Sequence, residues 1–166
     1  TRMKTRVLTI LVAALLIAPS VSFAKLLNVD PAHASILFEA WHLKIAKIPG
    51  RFTDFTGTVD LDQTDITKSK VEFTINVASL TTAFDKRDAH LRTSDFFDVE
   101  KFPKATFKST SIKKSGSGYA LTGDLTIRDV TKKVTFQMKH LGDVDHPRTK
   151  ERKYVFNASG KINRKD

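Results

Sequence analysis

Apolar and polar residues alternate along most of the chain after residue 25. In the run "KVEFTINVAS" (70–79), Val71, Phe73, Ile75 and Val77 alternate with polar or small residues. A period of two is typical of a β-strand with one dry and one solvated face. The same alternation recurs in the segments 35–42, 55–61, 104–112, 119–128, 132–140 and 154–162.

Turn-forming sequences separate these runs. They are "KIPGRF" (47–52), "LDQTDITKSK" (61–70), "KKSGSGY" (113–119) and "GDVDHPRTK" (142–150), and the shorter "IRDVTK" (127–132) predicts a tight hairpin. Short strands joined by hairpin loops predict an antiparallel meander. The βαβ rhythm of a parallel sheet is missing from the sequence.

The apolar face of such a sheet must be covered. Closing the sheet into a barrel buries that face and removes exposed edges, so we predict an all-β, up-and-down β-barrel. A two-sheet sandwich is the alternative. The sequence has 12 phenylalanines but only 1 tryptophan and 2 tyrosines. An interior rich in phenylalanine suits an apolar cavity, and it suits a plain packed core equally.

One segment interrupts the alternation. We predict a short helical segment at about residues 81–100, in which Thr81 or Thr82 caps a helix that runs from about Ala83 to Arg92. Pro103 then forces the chain into an extended conformation before the next strand. This segment is expected to cross one end of the barrel, with phenylalanines plugging that end.

The same segment contains the residues that best suit a metal or catalytic site. Asp85, Asp88 and His90 do not share one face of a helix, so their spacing disfavours a metal site. No nucleophile elbow is present, and nothing positions Asp95 and Asp98 as paired glycosidase carboxylates. We therefore expect no catalytic residue, no metal and no cofactor. Arg87, Asp88 and Asp95 are interpreted instead as structural residues that pin the helix.

The N-terminus predicts export. A basic head that contains Arg2, Lys4 and Arg6 precedes the uncharged run 7–18, and Ser22 and Ala24 are spaced for signal-peptidase cleavage. We predict a secretory signal peptide at residues 1–24 and one domain at residues 25–166 in the periplasm. The chain has no cysteine and a formal net charge of +10. The excess charge favours a solvated surface, or transient contact with an anionic membrane. Nucleic acid is not an expected partner.

The segment "RDAHLRTSDFFDVEKFPKATFKS" (87–109) closely resembles the signature of the YceI-like family of periplasmic polyisoprenoid-binding proteins. Segments on either side resemble other parts of the family pattern in the same order, and together they cover nearly all of residues 26–166. These segments are "LNVDPAHASILFEAWHL" (27–43), "GRFTDFTGTVDLD" (50–62), "LTGDLTIRDVTKKVTF" (121–136) and "ASGKINRKD" (158–166).

The resemblance implies a binding protein and not an enzyme. Its fold would be a lipocalin-like barrel with an elongated apolar tunnel for the tail of a polyprenyl or quinone-like lipid. In the family, the closing motif continues into a final strand, whereas this sequence stops at Asp166. We therefore expect a barrel that lacks this strand and has a seam.

Strand phase supplies the candidate site residues, although each could equally be an ordinary core residue. The predicted tunnel-lining residues are Ile36, Phe38, Val71, Phe73, Ile75, Val77, Phe107, Leu121, Leu125, Ile127, Val134, Phe136, Met138 and Phe156. His42 and His90 are candidate contacts for a ligand head group, and Trp41 is expected on the outer face or at the mouth. Two alternatives remain open. The barrel could bind a fatty acid, an amide or a small stress metabolite, or it could be solid and bind a protein or a membrane through its basic face.

Overall fold

The structure is a computed structural model that describes residues 24–43 and 45–163. The predicted signal peptide therefore lies outside the described residues except for Ala24. The last three residues of the closing motif, 164–166, also lie outside them.

The described chain consists mainly of β-strands. In chain order the elements are β1 (Ala24–Asn28), β2 (Ile36–His42), β3 (Ala46–Phe52), β4 (Phe55–Asp62), β5 (Lys70–Asn76), β6 (Leu80–Thr81), α1 (Asp85–Arg92), β7 (Lys104–Ser115), β8 (Gly118–Ile127), β9 (Val130–Asp145) and β10 (Arg152–Ser159). Short 3₁₀ turns at Ile66–Lys68 and Val77–Ser79 flank β5. Within the described residues, no helix combines the length and the apolar character needed to cross a bilayer.

The strands form two antiparallel sheets. The larger sheet has the order β1-β4-β5-β7-β8-β9-β10, and the smaller has the order β2-β3-β6. From β4 onward the larger sheet follows the chain except for β6, as expected for an up-and-down meander, and it curls into a half-barrel. The prediction of an antiparallel all-β fold with one short helix is confirmed.

The sequence "KIPGRF" forms most of strand β3, so the turn predicted there is wrong. β3 pairs with β2 along its whole length, and Pro49 lies opposite Glu39. Proline has no N–H to donate, but β6 pairs with β3 only at Arg51 and Phe52, so no ladder on that side needs a donor from Pro49. Strand pairing overrides a local signal that more often marks a turn.

Helix α1 begins at Asp85, later than predicted, and neither Thr81 nor Thr82 caps it. The N-cap residue is Phe84, whose side chain makes no capping hydrogen bond. Ala83 has a φ of 59°, in the left-handed region, and it turns the chain sharply from β6 into the helix. The side chains of the two threonines are engaged elsewhere, as described below.

A cluster of buried apolar residues lies on the concave face of the half-barrel, towards the end that carries the β7–β8 hairpin. We call this set the floor, and its members are Val71, Phe107, Ile112, Leu121 and Met138. Partly buried apolar residues on β4, β5, β8, β9 and β10 pack against the floor. The floor is therefore one buried cluster, and further buried residues lie elsewhere, with Val77 and Leu80 the most deeply buried.

Candidate ligand-binding site

A hollow of about 3060 Å³ lies along the concave face of the half-barrel. Side chains from both sheets and from the segment around α1 line it, and most of this lining is apolar. The apolar lining follows from the sequence pattern, since every second residue of a strand points to the same face.

With one exception, the predicted tunnel residues line this hollow. Those that line it are Ile36, Phe38, Val71, Phe73, Ile75, Phe107, Leu121, Leu125, Ile127, Val134, Phe136, Met138 and Phe156. That strand phase brings them to one surface is a finding. That they contact a ligand stays a prediction.

Val77 is the exception. The alternation of β5 continues through Val77 in the sequence, but the strand ends at Asn76 and Val77 begins a 3₁₀ turn. Its N–H donates to the carbonyl oxygen of Pro103 at 2.9 Å, and the residue is only 2% exposed. Val77 is therefore a core residue beside the segment that follows α1, and its assignment to the tunnel is wrong.

The lining divides into two zones by burial. The floor is buried. The remaining predicted residues are half-buried, and we call them the wall: Ile36, Phe38, Phe73, Ile75, Leu125, Ile127, Val134, Phe136 and Phe156. Apolar surface that faces an open hollow gains free energy when it is covered. An apolar ligand would therefore gain binding free energy mainly by covering the wall.

Aromatic rings connect the smaller sheet to the segment after α1. The ring of Phe52 lies 5.4 Å from that of Phe38 and 6.1 Å from that of Phe97, measured between centroids. The second pair is edge-to-face, and both separations are favourable for aromatic side chains. Phe97, expected to plug a barrel end, packs against β3. Phe52 was not predicted, because it belongs to the sequence interpreted as a turn.

Asp88 holds helix α1 against β6. Its carboxylate accepts hydrogen bonds from the N–H of Thr82 at 2.8 Å, from the hydroxyl of Thr82, and from the hydroxyl of Thr81 at 3.0 Å. Arg87 donates from Nε to the Thr82 hydroxyl at 2.7 Å and from Nη2 to the Thr82 carbonyl oxygen at 2.9 Å. Both oxygens of the Asp88 carboxylate, which belongs to a residue only 4% exposed, therefore have partners.

The network around Asp88 favours its ionised form. Burial opposes the charge, but the hydrogen bonds from Thr82 and Thr81 and the positive charge of Arg92 lower the pKa of Asp88 below its ordinary value. Arg92 also donates to the carbonyl oxygens of Ala78 and Leu80, at 2.9 and 2.7 Å. A general acid near neutral pH would need a raised pKa, so this environment suits an anchor and not an acid catalyst.

Arg128 anchors the segment that follows α1. It stands in the β8–β9 turn, and its Nη1 donates to the carbonyl oxygen of Phe96 at 3.0 Å. Its Nη2 lies 3.7 Å from Asp98, and its guanidinium group lies 5.4 Å from the centroid of the Phe102 ring. The sequence predicted the tight hairpin but not this anchoring contact.

His42 and His90 do not converge on one head-group site. His42 ends β2, six residues after Ile36, which corresponds to roughly 20 Å of strand. Ile36 marks the end of β2 nearest to β6 and α1. His90 lies on α1 with Nε2 3.1 Å from Asp95 and its ring edge-on to Phe96. The His90–Asp95 pair is exposed, so Asp95 pins the helix weakly at most.

The acidic residues of this segment have separate partners. Asp95 contacts His90, whereas Asp98 faces Arg128, so the two carboxylates are not aligned on a common reacting centre. Across residues 24–43 and 45–163, no group of three or more His, Asp or Glu side chains is close enough to hold a metal ion.

Comparison with known proteins identifies the family. A sequence model described as a YceI-like domain matches residues 27–166. The chain belongs to the YceI-like family. Protein YceI of Escherichia coli O6:H1 is 40% identical over 166 residues, which cover 99% of this chain and 86% of that protein. A UPF0312 protein of Enterobacter sp. (strain 638) is 41% identical with the same coverage. The crystal structure of a Campylobacter jejuni YceI protein is 32% identical with a TM-score of 0.69, covering 83% of this chain and 81% of that one.

Membership of the YceI-like family confirms the resemblance found in the sequence, but strand phase missed part of the lining. Phe55, Val59 and Leu61 on β4 also line the hollow, and the alternation in "FTGTVDL" was the available signal. Lys132 lines it too, in the same phase on β9 as Val134. A lysine in an apolar row is easily excluded when only apolar residues are counted, yet it places a cation within this YceI-like site.

Proposed function

We propose that this protein is an exported carrier that holds a long isoprenoid-type lipid, with a polyprenyl or quinone-like tail, in the hollow. The observation that supports this most directly is the half-buried apolar wall along a hollow of about 3060 Å³. Sites for drug-sized ligands typically measure about 300–1,000 Å³. A ligand that fills this hollow is therefore long or bulky, and mostly hydrocarbon.

Covering the wall supplies the driving force for binding. Each Å² of apolar surface removed from water contributes about 25 cal/mol, before the cost of ordering a flexible tail is subtracted. Because this force has no direction, the wall tolerates tails of different saturation and length. The family resemblance, and not the wall alone, favours an isoprenoid over other hydrocarbons.

In this proposal, polar groups on the lining contact a head group while the tail occupies the wall. Lys132 contributes a cation on β9, and Arg128 contributes a guanidinium group at the β8–β9 turn. His90 stands near this end on α1, whereas His42 stands at the far end of β2. A head group between β9 and α1 would therefore meet Lys132 and His90, and not His42.

Periplasmic location is the second part of the proposal. It rests on the basic head, the apolar run and the Ser22–Ala24 pair of the N-terminal sequence. N-terminal sequencing of protein recovered from the periplasm should begin at Lys25. Recovery of the uncleaved N-terminus from the cytoplasm would contradict export.

Extraction of the purified protein with organic solvent, followed by mass spectrometry, tests the ligand. We expect an isoprenoid lipid in amounts comparable to the protein, and uptake of added isoprenoid by delipidated protein. A fatty acid or an amide in its place would support the alternative ligand. No co-purifying lipid and no uptake would show that the hollow is not a lipid site.

A further inference from the structure

The tip of the β2–β3 hairpin exposes large apolar side chains. Trp41 is 63% exposed, Leu43 is 74% exposed and Ile45 is 81% exposed. These residues occupy alternate positions at the end of β2 and in the turn that follows. Single exposed apolar residues are common on protein surfaces, but a cluster of this kind marks an interaction site.

The fold does not require apolar residues at this turn. The chain reverses through a hydrogen bond from the N–H of Ile45 to the carbonyl oxygen of His42, at 3.1 Å. Leu43 has a φ of 51°, a left-handed conformation that suits Gly, Asn or Asp far better than leucine. Leucine therefore costs stability here without contributing burial in return. Such a cost is expected where a side chain serves binding.

The chemistry of the tip matches a bilayer interface. The Nζ of Lys47 lies 5.4 Å from the centroid of the Trp41 ring and 2.9 Å from the carboxylate of Glu39, in an exposed ion pair. Tryptophan prefers the headgroup region of membranes, and nearby lysines are attracted to anionic lipids. In the sequence Lys44 stands between Leu43 and Ile45, and the chain as a whole is basic, with a formal net charge of +10. The occupant that fits an apolar tip with basic neighbours is therefore an anionic lipid surface.

The tip is continuous with the hollow. Trp41 and His42 belong both to the hairpin and to the lining of the hollow. We propose that the β2–β3 hairpin tip docks into the headgroup region of an anionic bilayer and so brings the rim of the hollow to the membrane surface. This goes beyond lipid carriage, because docking does not require the hollow to be occupied.

Trp41 allows a direct test, since it is the only tryptophan in the sequence. Purified protein is mixed with vesicles of phosphatidylglycerol and phosphatidylethanolamine, or of phosphatidylcholine alone. We expect a blue shift of Trp41 emission and quenching by brominated acyl chains with the anionic vesicles, and a much weaker response with phosphatidylcholine. No quenching with anionic vesicles would overturn the proposal, and that measurement needs no variant.

Two matched variants locate the contact. Ile45→Glu and Leu26→Glu each replace an exposed aliphatic side chain by a carboxylate, and neither parent residue lines the hollow. Leu26 lies on β1, opposite Asp60 of β4, in the larger sheet and not in the hairpin's sheet. We expect I45E to weaken vesicle binding on the order of tenfold or more and L26E to leave it near the parent value. Uptake of added isoprenoid should be the same in both variants, which separates docking from carriage.

The remaining outcomes are equally decisive. An equal loss of vesicle binding in I45E and L26E would show that binding depends on the overall charge of the protein. That result would reject the hairpin tip as the docking site. A blue shift of Trp41 that grows with protein concentration without vesicles would show that a second copy of the chain covers the tip. If I45E melts well below the parent, Ile45→Ser is used in the same comparison with Leu26→Ser.

Discussion

The carboxylate of Asp88 accepts a hydrogen bond from the backbone N–H of Thr82, six residues earlier, at 2.8 Å. This contact fixes the first turns of α1 to the end of β6, where Ala83 turns the chain through a left-handed conformation. The α1 segment, which lines part of the hollow, is therefore held by a buried charge. Its stability should depend on that charge.

Replacing Asp88 by alanine should destabilise the fold by about 1–3 kcal/mol, because buried donors of Thr82 would lose their acceptor. Urea unfolding followed by circular dichroism measures the change. Asp85→Ala is the matched control, since Asp85 is an exposed carboxylate in the first turn of the same helix. A similar loss in both variants would show that helix charge matters and that the Thr82 contact does not.

The lowered pKa of Asp88 predicts a pH dependence of stability. Its folded-state pKa lies below the unfolded value of about 3.9. The stabilisation is therefore complete above the unfolded pKa and is lost as the pH falls through the folded pKa. The free energy of unfolding of Asp88→Asn, compared with the parent between pH 7 and pH 2, should show a difference that shrinks below about pH 4. Hydrogen bonds with His33 and Thr67 also lower the pKa values of Asp30 and Asp65. Both proteins contain these two residues, so the difference between them isolates Asp88. A constant difference across this range would mean that the ionised form is not the one stabilised.

The alternation of apolar and polar residues predicts a strand wherever that strand buries one face. It fails for β3, where pairing with β2 determines the structure. Residues 70–76 form β5, and the apolar side chains of this strand all face the concave side of the half-barrel. The same pattern extended one residue too far at Val77, since period two cannot show that the chain enters a 3₁₀ turn. Thr81 and Thr82 looked like helix caps because threonine is common both at helix N-caps and as a hydroxyl donor to a carboxylate elsewhere in the chain. Only the fold reveals that Asp88 turns back towards them.

The ring of Phe38, which lies opposite Gly50 on the neighbouring strand, explains why a glycine occupies position 50. A Cβ atom at Gly50 would lie 2.7 Å from Cε1 and from Cε2 of the Phe38 ring, closer than real contacts allow. Gly50→Ala should therefore cost about 1–3 kcal/mol in the parent. In a Phe38→Ala background the ring is gone, and the same change should be neutral or stabilising by about 0.4–1 kcal/mol, because alanine restricts the unfolded chain. A double-mutant cycle by urea unfolding measures this, and equal losses in both backgrounds would contradict it.

The sequence predicts which residues share the concave surface, but it does not predict how much open space lies in front of them. Strand phase identified most of the wall, since side-chain direction follows from the backbone repeat. It could not separate wall from floor, because Ile75 and Met138 are equally apolar and only packing makes one half-buried and the other buried. Lys132 is in the right phase, but it was missed because only apolar residues were counted. What the sequence lacks is the amount of space in front of each side chain.

That difference in space gives the decisive comparison for the hollow. Ile75→Phe adds volume at the wall, whereas Ile112→Phe adds the same volume at the floor, where Ile112 is 4% exposed. We expect I75F to keep its melting temperature near that of the parent and to lose isoprenoid uptake. I112F should lose about 1–3 kcal/mol of stability, because an overpacked core forces side chains and backbone to shift. Met138→Trp should behave like I112F, since Met138 belongs to the floor.

Thermal melts and uptake of added isoprenoid, measured on the same preparations, separate the outcomes. If I75F is destabilised as much as I112F, the wall is as tightly packed as the floor and the hollow has no room for a tail. If I75F is stable and still takes up isoprenoid at the parent level, the ligand does not reach β5, and the tail must lie nearer to β9 and β10. Only a stable I75F that has lost uptake fits a tail that lies on the wall, because added volume then competes with the ligand and not with the core.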